Sequence, residues 1–179
     1  MKDEIKKRVA PFEAKLKKIK VALFDVDGIL TDGRLYWGGE EVGYNRFFNV
    51  HDGYGLRMLE RAGLEVGIIT GGDSKGVLKR FSDLGLTYMF AGNEDKRGAL
   101  NEILEKSKVT DDEVLYMGDE FFDLPLLKRV GFSATVPDAS LEIQNEVDYI
   151  TKKEGGRGAA REVIDLLRWS QGIVPKIEY

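Results

Sequence analysis

Val21-Ala22-Leu23-Phe24-Asp25-Val26-Asp27-Gly28-Ile29-Leu30-Thr31-Asp32-Gly33 is the stretch whose reading decides the fold. Its four leading apolar residues read as a short strand buried on both faces, and an acidic, glycine-punctuated turn follows. Two carboxylates two residues apart therefore emerge where the strand ends. In a parallel α/β sheet, ligands bind at that end of the strands. Close carboxylates repel one another, so Asp25 and Asp27 call for a cation, a proton or both.

Working outward, the same pattern repeats. Leu64 to Thr70, Leu86 to Phe90, Val114 to Met117, Phe132 to Val136 and Val147 to Ile150 read as further short strands. Helical patterns separate them, over 54–62, from Asp73-Ser74 to a stop at Gly85, from Lys96 onward, after Pro125, and over 159–171. Alternating strands and helices predict an α/β fold, a doubly wound, Rossmann-like parallel sheet. Residues 1–18 carry Ile5, Val9, Phe12 and Leu16 at helical spacing, interrupted by Pro11, and predict a broken amphipathic segment docked on the domain. Gly38-Gly39 between aromatic runs predicts a β-hairpin flap within residues 33–50. Trp37, Tyr44, Phe47 and Phe48 make that flap too apolar to stand exposed, and they predict a subunit contact. Residues 172–179 read as a short tail, and 1–179 as one domain with no separate cap.

Composition narrows the function. The 179 residues are enough for one sizeable core. A net charge of −4 leaves no broad basic face, so nucleic acid is not the expected partner. There are no cysteines, hence no thiolate metal site, and no apolar run long enough to span a membrane. The expected setting is cytoplasmic, with a small-molecule ligand.

The polar residues of interest fall at successive strand ends: Asp25 and Asp27, then Thr70, then Lys96 after the third strand, then Asp119 and Asp123. Acidic groups with one hydroxyl and one ammonium suit phosphoryl transfer through an aspartyl-phosphate. Mg²⁺ takes a few carboxylates plus phosphate oxygens, and an Asp can attack phosphorus and split hydrolysis into two steps. Asp25, nearest the rigid strand, is the expected nucleophile. Asp27 is the expected acid, protonating the leaving oxygen and later deprotonating water. Thr70 and Lys96 would hold the transferring oxygens, Asp119 would complete the metal site, and Asp123 would support it from behind. Taken singly, Thr70 reads equally as a turn residue and Lys96 as a surface lysine; it is their ordered recurrence at strand ends that argues for a site.

Asp25-Val26-Asp27-Gly28-Ile29-Leu30-Thr31-Asp32, Ile69-Thr70-Gly71, Lys96 and Gly118-Asp119-Glu120-Phe121-Phe122-Asp123 resemble the four motifs of the haloacid dehalogenase superfamily. The resemblance implies a Mg²⁺-dependent phosphohydrolase, with the metal held by Asp25, Asp119 and the backbone carbonyl of Asp27. Phe48-Asn49-Val50-His51-Asp52-Gly53-Tyr54-Gly55 and Gly155-Gly156-Arg157-Gly158-Ala159-Ala160-Arg161-Glu162 look like the 3-deoxy-D-manno-octulosonate 8-phosphate phosphatases, and the likeness runs over roughly residues 17–171. That branch lacks a cap domain, forms homotetramers through its hairpins, and supplies an octulosonic acid for lipopolysaccharide synthesis. It implies substrate contacts at Gly28, Gly71 and Arg157. Relatives acting on nine-carbon keto-sugar phosphates share the frame. One departure stands out: the second motif usually continues Thr-Gly-Arg, whereas here it reads Thr70-Gly71-Gly72, and Lys75 or Arg157 are the candidates to replace the missing guanidinium. His51, the only histidine, reads as a loop residue with a local hydrogen bond. A phosphoacceptor receiver domain, the rival from another class, also combines an acidic cluster, a Thr and a Lys, but in a different order along the chain.

Overall fold

The computed structural model describes residues 2–175. The N-terminal segment forms α1 (Lys2–Val9) and α2 (Glu13–Leu16), broken around Pro11 as the sequence predicts. Then come β1 (Val21–Phe24), the flap strands β2 (Tyr36–Trp37) and β3 (Tyr44–Asn45), α3 (Val50–Arg61), β4 (Glu65–Thr70), α4 (Lys75–Leu84), β5 (Tyr88–Ala91) and α5 (Arg97–Ser107). The chain continues through β6 (Val114–Met117), α6 (Leu124–Leu127), β7 (Phe132–Thr135), α7 (Leu141–Gln144), β8 (Tyr149–Ile150) and α8 (Ala159–Ser170). Of the expected tail 172–179, residues 176–179 lie outside the described residues, as does Met1.

Six strands form one parallel sheet in the order β5-β4-β1-β6-β7-β8. Alternate side chains of β1 enter separate cores. Ala22 and Phe24 join the core built with α3, α4 and α8, whereas Val21 and Leu23 join the one built with α5, α6 and α7. That is why Val21 to Phe24 is apolar at every position. The chain leaves β1 on one side for β4 and β5, then returns to its other side for β6. This reversal opens a crevice at the carboxyl ends of the central strands, which is where such sheets bind ligands.

Boundaries moved where side chains intervene. Helix α3 starts at Val50 rather than 54, because the Asn49 side chain caps it by accepting from the His51 N–H at 2.8 Å. Gly55 in that helix lets it approach α8, where a Cβ would lie 3.0 Å from Ile164 Cδ1. Strand β5 begins at Tyr88 because the Thr87 N–H is taken by Glu60 Oε1 at 2.7 Å. The flap is a hairpin, but its turn is the loop Gly38–Gly43, closed by Gly38 N–H to Gly43 O at 2.9 Å.

The apolar flap needs one correction. Phe48 is half-buried within its own subunit, packed edge-on against Phe81 with ring centroids 5.5 Å apart. Trp37, Tyr44 and Phe47 are 53%, 59% and 62% exposed.

Candidate active site

Central strand β1 delivers Asp25, whose N–H bonds Met117 O at 2.8 Å and so prolongs the pairing with β6 by one residue. Neighbouring β4 ends on Thr70, and beyond β6 the chain turns through Gly118 to Asp119. The turn is tight: a Cβ at Gly118 would sit 2.5 Å from the Asp123 carboxyl carbon, and one at Gly28 would overlap the Asp119 carboxylate. Glycine is therefore required at both positions for the acidic groups to converge. Carboxylate oxygens of Asp25, Asp119 and Asp123 lie within 4.8 Å of one another.

Lys96 precedes α5 and sends a fully buried side chain under the sheet edge to Asp25 at 2.8 Å and Asp123 at 2.6 Å. The solvated-surface reading of this lysine is excluded. Tyr116, a core residue of β6, and Phe122, in the loop after it, complete its surroundings. The Tyr116 hydroxyl bonds Asp123 Oδ1 at 2.5 Å, and the Phe122 ring lies 4.7 Å from Lys96 Nζ. Burial, then the Asp123 charge, holds the Tyr116 phenol well above its ordinary pKa, so it stays a donor. The other Asp123 oxygen accepts the N–H groups of Asp119 and Glu120, each at 3.0 Å. With four donors on its two oxygens, Asp123 serves as a brace for Lys96 and the loop, not as a free ligand. Replacing it by Ala strips one partner from a buried ammonium, and we expect a loss of about 3 kcal/mol in urea unfolding; a change within about 0.5 kcal/mol, as at an ordinary surface position, would contradict the brace.

Asp25 and Asp119 are poised for a cation. Burial, then the Asp123 charge, raises the Asp25 pKa to about 7, even with Lys96 opposing. Burial, then Asp25, raises Asp119 to about 8. Asp119 Oδ1 is buried without a hydrogen-bond partner. An oxygen-only donor set with one orphaned carboxylate oxygen fits Mg²⁺. The Asp27 side chain lies outside this set, since both its oxygens are engaged by the Arg46 guanidinium, Oδ2 to Nη2 at 2.8 Å. What Asp27 leaves for a metal is its main-chain carbonyl, which accepts no backbone hydrogen bond among the described residues.

Thr70 is buried, and its hydroxyl oxygen accepts from the Gly72 N–H at 3.2 Å, leaving its own proton free to donate. The turn reading of Thr70 holds, and its hydroxyl can still donate. Gly71 packs under Glu94, where a Cβ would stand 3.2 Å from Cγ. Arg157 lies at the rim, exposed, 3.7 Å from Asp32. The glycines beside it serve the first motif directly: the Gly156 N–H bonds Ile29 O at 2.9 Å, and a Cβ at Gly155 would overlap Gly28 O. His51 is exposed in the first turn of α3 and Lys75 at the start of α4, and among the described residues neither pairs with Asp25, Asp119 or Asp123. Sequence reading passes over Arg46, nineteen positions from Asp27 in a flap read for its aromatics.

The chain is 43% identical over 161 residues to the 3-deoxy-D-manno-octulosonate 8-phosphate phosphatase of Escherichia coli K12, covering 89% of this chain and 84% of that protein. The chain belongs to that phosphatase family. A model of the haloacid dehalogenase-like hydrolases also matches residues 82–163. The phosphatase family's fold is shared in detail. A crystal structure of the Yersinia pestis 3-deoxy-D-manno-octulosonate 8-phosphate phosphatase superposes with a TM-score of 0.86 at 36% identity, covering 90% of this chain and 87% of that one. The Moraxella catarrhalis enzyme, solved with a magnesium ion, a phosphate ion and a KDO molecule, superposes with a TM-score of 0.85 at 37% identity, covering 89% and 91%.

Proposed function

We propose that this chain is a Mg²⁺-dependent phosphatase that hydrolyses 3-deoxy-D-manno-octulosonate 8-phosphate to the free octulosonate and phosphate, in lipopolysaccharide precursor synthesis. The observation that carries it is the convergence of buried Asp25 and Lys96 with half-buried Asp119 at the carboxyl end of the central strands, in a chain that belongs to this family. An Asp25 oxygen attacks phosphorus while the ester P–O bond breaks, and the departing sugar oxygen takes a proton from the Asp27 carboxyl. Water then attacks the aspartyl-phosphate, gives its proton to Asp27, and releases phosphate and the Asp25 carboxylate. Thr70 and Lys96 hold phosphoryl oxygens and offset their charge. Mg²⁺, held by Asp25, Asp119 and the Asp27 carbonyl, neutralises the phosphoryl charge when bound. Gly28, Gly71 and Arg157 line the substrate's path. Phosphate release across a panel of eight- and nine-carbon sugar-acid phosphates tests the assignment: the highest kcat/KM falls on the octulosonate ester, and a nine-carbon preference would overturn the choice of substrate.

The flap adds an expectation of assembly. Trp37 packs on Tyr44 as an exposed apolar face of the flap, with Tyr36 and Phe47 paired beside it; the described residues include no cap domain, and a roof is needed to exclude water from the far end of the substrate. Packing of hairpins from several subunits, in a tetramer, would cover that face and roof the site. Light scattering at assay concentration checks this: an oligomer is expected, and a fully active monomer would contradict it.

A further inference from the structure

Two glycines in the loop and first turn leading into α4, Gly72 and Gly76, leave spaces that two consecutive flap residues fill. A Cβ at Gly76 would sit 2.6 Å from Asn45 Oδ1, and a Cβ at Gly72 would sit 3.1 Å from Arg46 Nη2 and 3.4 Å from Asp27 Oδ2. Arg46 lies in its slot with 9% of its side chain exposed. Its Nε and Nη2 donate to the two Asp27 oxygens, and its Nη1 donates to Ser74 Oγ at 3.0 Å. A two-pronged guanidinium–carboxylate pair fixes the plane of the carboxylate, which a single-point lysine contact would not do.

We propose that Arg46 is the positioning residue for Asp27 and the latch that closes the flap on its own subunit, and that Gly72 is bare to seat it. The guanidinium expected after Thr70-Gly71 is thus supplied from the opposite wall. Neither Lys75 nor Arg157 takes that place. The inference rests on the assignment of Asp27 as the acid and base of the reaction. It assigns Arg46 no contact with the reacting atoms: Arg46 fixes the plane of the Asp27 carboxylate and tethers β3 across the site entrance, and one of its two contacts yields an Asp27 oxygen when that carboxyl carries the proton for the leaving group.

The test uses full-length protein with Arg46→Ala, Arg46→Lys, Gly72→Arg and the double variant Arg46→Ala/Gly72→Arg. Two substrates separate positioning of the acid from general damage: the octulosonate 8-phosphate, whose sugar oxygen needs a proton to leave, and p-nitrophenyl phosphate, whose phenolate does not. Arg46→Ala is expected to lower kcat on the sugar ester by roughly 10- to 100-fold, the scale of lost support to a working side chain, with KM little changed and a smaller loss on the aryl ester. Arg46→Lys recovers only a minor part. The double variant recovers kcat because the new guanidinium enters the same space from residue 72, whereas Gly72→Arg alone forces two guanidinium groups together and costs activity. Amide hydrogen exchange over residues 44–47, read without substrate, should speed up in Arg46→Ala and slow again in the double variant. Unchanged exchange and unchanged kcat in Arg46→Ala would overturn the proposal, as would equal losses on both esters with no recovery in the double variant. A wild-type protein inactive on both esters would instead count against the phosphatase assignment, and the exchange data would still decide the latch.

Discussion

Replacing Asp25 by Asn removes turnover, by on the order of 10⁵-fold in kcat, the scale seen when a covalent nucleophile is lost. The amide is isosteric and remains in place at the end of β1, so the fold and the binding of a phosphorylated ligand persist. The substitution relieves part of a conflict, because Asp25 is buried beside Asp123 and its pKa is raised by that burial. It also removes a charge partner of Lys96, which keeps Asp123 at 2.6 Å. Melting temperature should therefore change much less than activity. Steady-state phosphate release and a thermal melt on the same preparation check both halves.

The second large effect concerns the metal. A chelator abolishes activity, added Mg²⁺ restores it, and Asp119→Ala raises the Mg²⁺ concentration needed. The raised carboxyl pKa values give this a pH dependence of definite sign. In the metal-free fold Asp119 holds its proton up to about pH 8, whereas the unfolded chain sheds it near the ordinary value of 3.8. Between those limits the folded state binds more protons than the unfolded one, so metal-free stability falls as pH rises. Mg²⁺ takes only the ionised carboxylate, so its stabilising effect grows over the same window. Melts with chelator and with Mg²⁺ between about pH 5 and pH 8 should diverge upward in pH, and Asp119→Asn should shrink the divergence. Parallel curves would contradict a cation site at Asp119.

Much of this was legible in the sequence. Strands with both faces buried are apolar at every position, so Val21 to Phe24 and Val114 to Met117 could be placed to the residue. The carboxylates, Thr70 and Lys96 can be singled out because the parallel fold gathers strand ends along one edge, which turns sequence order into proximity. The residues missed act through contacts that no local period encodes. Tyr116 sits at a core position of β6, and only its hydroxyl reveals its tie to Asp123. Arg46 meets Asp27 by way of the flap's docking, which depends on two missing side chains in the loop and first turn leading into α4. The sequence pattern starts α3 four residues late because Gly53 and Gly55 mask its start, although the reason for those glycines is close approach to neighbouring side chains. Phe48 reads like the flap's exposed aromatics because the sequence does not show where the chain turns back into the core.

The central claim is that Asp25 carries the phosphoryl group between the two halves of the reaction. Asp27→Asn offers the direct view, because with p-nitrophenyl phosphate the first half needs no acid while the second still needs a base. Acid quench of that variant within one turnover, followed by peptide mass spectrometry, should find the peptide containing Asp25 one phosphoryl group heavier, with no such gain in Asp25→Asn/Asp27→Asn. Phosphate released by the single variant with no modified peptide at any quench time, or a phosphoryl group mapped to another residue, would contradict it.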